Sequence, residues 1–108
     1  MAWIYLSVAG LLEVGWPLGL KISQAPERRV AGIALSVVCM IGSGIFLWVA
    51  QKTIPMGTAY AVWTGIGAVG TFSLGILLYG DSAGAPRILS ALLIVGGIVG
   101  LKVTQGAE

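Results

Sequence analysis

The chain is 108 residues long, 57% hydrophobic and 9% charged, with no histidine and a formal net charge of +2; its mean hydropathy is +0.99. A soluble domain this short buries too little of its area to hide that much apolar surface, so an ordinary water-soluble enzyme or binding module is excluded. The pI near 9.0 reflects a few loop cations placed to meet anionic headgroups, so the lipid bilayer is an expected partner and nucleic acid is not.

Charge is absent from long stretches. Residues 2–20 carry only Glu13, and residues 30–50 and 56–80 carry no charge at all. About 20 apolar residues make a helix that crosses the hydrocarbon core. The expected spans are residues 2–21, 30–50, 56–80 and 86–104. The last has a short apolar centre, 88–101, and reaches membrane thickness through Pro86, Arg87 and Lys102–Thr104, with Arg87 and Lys102 as snorkelling ends. Between the spans lie turn-forming segments: Gln-Ala-Pro-Glu-Arg-Arg at 24–29, Lys-Thr-Ile-Pro at 52–55 and Gly-Asp-Ser-Ala-Gly-Ala-Pro at 80–86. None is long enough for a soluble domain, and backbone groups in lipid need internal partners, which favours helices. The prediction is an all-α integral membrane protein, one four-helix domain over residues 1–108. The first helix lacks a basic n-region and a cleavage site followed by a soluble domain, so it is expected to be retained. Cys39 is the only cysteine and lies mid-span, so no disulfide framework, metal site or cofactor is implied.

With four spans, the first and third loops share one membrane side. Lys21, Arg28, Arg29 and Arg87 fall there; Lys52, Lys102 and the terminal amine fall on the other. This is a weak positive-inside bias, compatible with insertion in both orientations or with one modestly favoured topology.

Glu13 carries the strongest functional signal. An ionisable side chain inside a span is costly and usually faces a bundle interior or watery cavity on an ion or substrate path. The alternative is a structural carboxylate satisfied by a neighbouring hydroxyl or backbone group. No span interior holds a Lys, Arg or His to pair with it. A bare charge is disfavoured there, so a proton or a small cation is expected on the carboxylate, each excluding the other.

Glu13, Trp16 and Pro17 share a helix face at i, i+3 and i+4. Pro17 has no N–H, so the Glu13 carbonyl loses its helical partner and a bend is expected, whether functional or merely tolerated. In the third span Tyr60, Trp63 and Gly67 line one face: Tyr60 has a hydroxyl to donate to a carboxylate, and Trp63 has a ring face for a cation. Taken alone, such a pair is more often packing. Trp3, Trp48 and Tyr79 lie near span ends, as interfacial anchors do. Gly65, Gly67 and Gly70 serve flexing or close helix approach, and the sequence does not separate the two. Gly96 and Gly100, with Gly97 beside them, form a small-xxx-small surface for helix contact, including contact between subunits. Four short helices leave little room for a path within one copy, so an oligomer, most simply a dimer, is expected.

The runs Ala-Gly-Leu-Leu-Glu-Val at 9–14, Leu-Lys at 20–21 and Ile-Pro-Met-Gly-Thr-Ala-Tyr-Ala-Val-Trp-Thr-Gly-Ile-Gly-Ala at 54–68 resemble the small multidrug resistance family of bacterial proton-coupled transporters, over nearly the whole chain. The resemblance implies an antiparallel, dual-topology homodimer in the bacterial inner membrane. Two copies of Glu13 would share one site, and protons and substrate would exchange there by alternating access, with no covalent chemistry and hence no enzyme. Of the family's two branches, one exporting bulky aromatic and quaternary ammonium drugs and one exporting guanidinium ion, the chain is more similar to the second. Trp16 stands where drug exporters typically have a small residue, Trp63 is followed by Thr-Gly-Ile-Gly-Ala, and Met40 stands where they usually place a tyrosine, with Ser43 kept. By resemblance Glu13, Trp16, Ser43, Tyr60 and Trp63 form the substrate and proton site, and a planar guanidinium offers paired N–H groups to carboxylate oxygens. Ser43 by itself would more often be a packing hydroxyl. The chain departs from the pattern in a first loop one residue longer and in Asp81 at a position where glutamate is expected. The competing readings are an exporter of quaternary ammonium or multidrug cations, an accessory membrane subunit with no transport of its own, and a heteromeric assembly.

Overall fold

A computed structural model describes residues 1–105. Four helices account for nearly all of them: α1 (Ala2–Ile22), α2 (Arg29–Ala50), α3 (Met56–Tyr79) and α4 (Ala85–Gln105). All four are long and apolar enough to cross a membrane. The connections are short and chemically defined. Ser23 N–H bonds the Gly19 carbonyl at 2.9 Å to finish α1, and a single 3-10 turn over Pro26–Arg28 leads directly into α2. Pro55, in extended conformation, precedes α3, where its missing N–H costs no helical bond. α3 ends at Gly80, whose φ of 69° is left-handed, a conformation that only glycine adopts without strain. Asp81 N–H then reaches back to the Gly75 carbonyl at 3.0 Å, which satisfies a carbonyl of the last turns. Pro86 occupies the first turn of α4, where proline is tolerated.

α1 is the centre of the protomer. It packs closely on α2 and on α3, while α4 leans on α3. The Cα envelope is only 17 Å in its thinnest direction, so the helices form a thin layer of rods and not a closed bundle. The buried apolar cluster joins Leu6 of α1, Ala50 at the end of α2, Ile54 of the second loop, and Ala59 and Val62 of α3. None of the span of α4 is buried inside the protomer.

The α1–α2 contact depends on the absence of side chains. A Cβ added at Gly19 would lie 2.6 Å from the Gly32 carbonyl oxygen and 2.7 Å from the Ser36 backbone nitrogen. Gly32 meets the Gly19 carbonyl in return. These neighbours are backbone, so a larger residue would push the helices apart. Nearby, Ser36 Oγ donates to the Trp16 carbonyl at 2.7 Å, a bond only this close approach permits. In lipid, where no hydrophobic effect drives helices together, such packing and hydrogen bonding hold them.

Cations at the helix ends lie over aromatic rings. Lys21 covers Tyr79 at 5.4 Å, Lys52 covers Trp48 at 4.7 Å, Arg87 covers Phe72 at 5.0 Å and Lys102 covers Trp3 at 5.3 Å.

Replacing Gly19 by Val is expected to destabilise the fold by roughly 1–3 kcal/mol through overpacking. Gly44→Ala, at a position with nothing within 4 Å of the added carbon, should leave the melting transition where it is. Thermal melts of both variants in detergent, followed by circular dichroism, check the pair.

Candidate functional site

Glu13 lies in the middle of α1, which continues through Pro17 as a single helix. Its side chain is half-buried and runs across Gly67 of α3: a Cβ at Gly67 would be 2.5 Å from Glu13 Cγ and 3.1 Å from its Cβ. One turn on, Gly70 makes the same room for Val14. The two glycines therefore set how near α3 comes to the carboxylate. Gly65 does the corresponding work towards α4, where an added Cβ would meet Ile98 at 2.8 Å. Among the described residues no group donates a hydrogen bond to the Glu13 carboxylate or pairs with it.

Ser43, Trp63 and α1 are joined in a chain of hydrogen bonds. The indole N–H of Trp63 donates to Ser43 Oγ at 2.8 Å, and Ser43 Oγ donates to the Ala9 carbonyl at 2.7 Å. Ser43 is 1% exposed, so its one hydroxyl ties three helices together in the dry interior. Ala9 lies one turn before Glu13, so the bond fixes the register of the carboxylate against α2 and α3. Tyr60 stacks on Trp63 with centroids 5.5 Å apart and a 51° tilt, and its ring is 57% exposed. Trp16 is half-buried on the Glu13 face; its carbonyl is held by Ser36, and its indole N–H bonds nothing among the described residues.

The carboxylate opens into a groove of about 490 Å³ between α1 and α3. Pro17 and Gly67 line it, together with Thr64, Thr71, Phe72 and Asp81. The structure thus brings Glu13, Pro17 and Gly67 together, and separately joins Ser43, Tyr60 and Trp63; Trp16 and the latter three do not line this groove. Thr64 and Thr71 are groove residues outside the sequence-derived site set. They continue the stripe of Tyr60 and Gly67 at helical spacing, which is the signal that would have found them. Asp81 reaches the groove only through the turn at Gly80, which no periodicity reveals. Gly96, Gly97 and Gly100 of α4 are exposed, with nothing within 4 Å of an added Cβ.

A multi-pass membrane protein with an unpaired carboxylate beside a groove has the parts of a cation carrier, and comparison with known proteins places it. The description Small Multidrug Resistance protein matches residues 1–94. The chain belongs to the small multidrug resistance family. Among similar members, a protein named "Guanidinium exporter" from Yersinia pseudotuberculosis is 56% identical over 105 residues, 97% of this chain and 100% of that protein. One of the same name from Citrobacter freundii is 53% identical, over 96% of this chain and 98% of its own length. Another from Salmonella typhimurium is 51% identical over the same shares. Family membership and the four membrane-crossing helices make this chain a transporter-family protein of the bacterial inner membrane.

Two substitutions test the geometry of this family member. Ser43→Ala leaves the Trp63 indole without its acceptor and should lower stability in detergent by roughly 0.6–1.7 kcal/mol, the range for hydrogen bonds between membrane helices; thermal melting monitored by tryptophan fluorescence reads it. Gly67→Ala should force the Glu13 side chain off α3 while the helix content by circular dichroism stays unchanged. The reaction rate of Glu13 with a carboxyl-directed carbodiimide should then differ from that of the parent protein by severalfold.

Proposed function

We propose that this protein exports small guanidinium-type cations in exchange for protons. The observation that carries the reading is the Glu13 carboxylate, placed mid-span on α1 with no partner among the described residues and open to a groove. An isolated carboxylate in a low-dielectric medium is stable only when something neutralises it. A proton does so, and so does a monovalent cation. Occupancy by one excludes the other, and this competition is what couples two opposed fluxes. Relatives named as guanidinium exporters at 51–56% identity support the choice of cation.

The functional unit in this reading is an antiparallel homodimer. The thin protomer, the wholly unburied span of α4 and the open small-residue surface at Gly96, Gly97 and Gly100 support a second copy against α4. Two Glu13 carboxylates then share one cavity. A guanidinium ion, planar and rich in donors, suits paired carboxylate oxygens. Trp16, whose indole N–H is uncommitted among the described residues, donates to a carboxylate across the cavity. Ser43 and Trp63 hold the wall through their mutual bond, and the exposed ring of Tyr60 offers its π face and hydroxyl to the cation. Pro17, which removes the backbone partner of the Glu13 carbonyl, gives α1 its bending point, and Gly65, Gly67 and Gly70 let α3 slide as the loaded dimer changes the side to which it opens.

Proteoliposomes of the purified protein test this directly. With an outward-directed substrate gradient, guanidinium should drive proton movement and a quaternary ammonium ion far less. Glu13→Gln should reduce the guanidinium signal to that of empty liposomes. A signal with the quaternary ammonium alone would transfer the protein to the drug-exporting branch, and silence from a folded dimer with both cations would favour an accessory subunit.

A further inference from the structure

The groove that holds Glu13 has a second carboxylate at its other end. Asp81 lines it from the turn after α3, and the turn places Asp81 with care. Gly80 takes a left-handed φ of 69°, Asp81 N–H bonds the Gly75 carbonyl at 3.0 Å, and the Asp81 carboxylate lies directly against Gly75, where any side chain would collide with it. The carboxylate is therefore laid back along α3 while it stays exposed to water. Lys21 and Tyr79 line an adjoining groove together with Asp81. Lys21 is turned over the Tyr79 ring at 5.4 Å, and no ion pair to Asp81 forms among the described residues.

Between the two carboxylates stands Thr71, which lines both grooves. A threonine inside a membrane helix ordinarily donates its hydroxyl to a carbonyl one turn back. Its neighbours in α3 do so: Thr64 bonds the Tyr60 carbonyl at 2.8 Å and Ser73 the Val69 carbonyl at 2.8 Å. Thr71 makes no such bond, so its hydroxyl is left for the groove. Glu13 crosses α3 at Gly67 and Asp81 crosses it at Gly75, with Thr71 midway. Positions 67, 71 and 75 are each four residues apart, so they share one face with a step of roughly 6 Å.

A guanidinium ion is all donor and no acceptor, so it sheds water only where acceptors replace it. We infer that Asp81 and Thr71 form an outer acceptor ladder that captures the guanidinium-type cation at the membrane surface and passes it to Glu13. This rests on the transport reading given above. Asp81 supplies attraction from solution, and Thr71 Oγ1 accepts N–H groups while the cation is between the two charges.

The test is the concentration dependence of guanidinium uptake by proteoliposomes carrying wild type, Asp81→Asn, Asp81→Glu, Thr71→Val or Glu27→Gln. Glu27 lies in the 3-10 turn on the same membrane side and serves as the control for general surface charge. Asp81→Asn should raise KM roughly two- to fivefold, the effect of one solvent-exposed charge, with the maximal rate retained. The difference should close between about 10 mM and about 0.5 M salt, where screening is nearly complete. Asp81→Glu should restore KM, Thr71→Val should raise it at both salt concentrations, and Glu27→Gln should leave it unchanged. Wild-type KM in both Asp81→Asn and Thr71→Val overturns the ladder while the transport reading stands. An equal shift from Glu27→Gln also overturns it, in favour of a diffuse surface potential. A wild type that moves no guanidinium removes the transport reading and the ladder together.

Discussion

A carboxylate in hydrocarbon constrains everything around it. Glu13 has to face protein or water, and α1 is accordingly packed closely on both sides, with α2 on one and α3 on the other. The opening it needs lies between α1 and α3, where Gly67 lets the side chain pass and Thr64, Thr71 and Asp81 supply polar edges. An isolated structural carboxylate would be expected to collect hydroxyl and amide donors until it was satisfied. Here the available hydroxyls of Ser36 and Ser43 are spent on backbone carbonyls of the same helix, and the carboxylate itself is left without a partner among the described residues.

The rigidity of the surroundings comes from backbones in near contact and from hydroxyls that bond across the gap. Gly19 against Gly32 brings α1 and α2 so close that Ser36 reaches the Trp16 carbonyl, and about two turns away Ser43 connects Ala9 and Trp63. These bonds hold α1 to α2 along much of their length. α3 touches the pair through the apolar cluster of Leu6, Ile54, Ala59 and Val62, through glycine crossings at Ile66, Glu13 and Val14 and, among the described residues, through one side-chain bond at Trp63. The firm half of the protomer therefore carries the carboxylate, and the half with fewer cross-links carries the wall facing it.

How much of this was legible in the sequence follows from what produces it. Four apolar stretches, two of them free of charge, one holding only Glu13 and one shorter and flanked by Arg87 and Lys102, reveal four spanning helices because lipid leaves the backbone no other choice. The family was legible in the run at 54–68 and around Glu13. The groove was only half legible. Tyr60 and Gly67 announce a face, and the threonines on the same stripe were overlooked because hydroxyls in membrane helices usually bond their own backbone, as Thr64 does. Ser43 is legible only through the family resemblance, and its link to two other helices is not: nothing in a lone serine says whether it bonds its own helix or two others. Asp81 reads as an ordinary loop acid until Gly80 turns it back on α3.

The ring-covered cations have a consequence for the membrane itself. Helices of 21 to 24 residues are roughly 32–36 Å long at 1.5 Å per residue, slightly more than a typical hydrocarbon core of about 30 Å. Lys21 over Tyr79 at one surface, and Lys52 over Trp48 and Lys102 over Trp3 at the other, fix ammonium groups against rings that prefer the headgroup region. Cations held in this way have less freedom to snorkel when the lipid changes. A thinner or thicker bilayer must then be met by tilting the helices, and tilt alters the crossing of α1 and α3 on which the Glu13 groove depends. Acyl-chain length is thereby wired mechanically to the shape of the cavity.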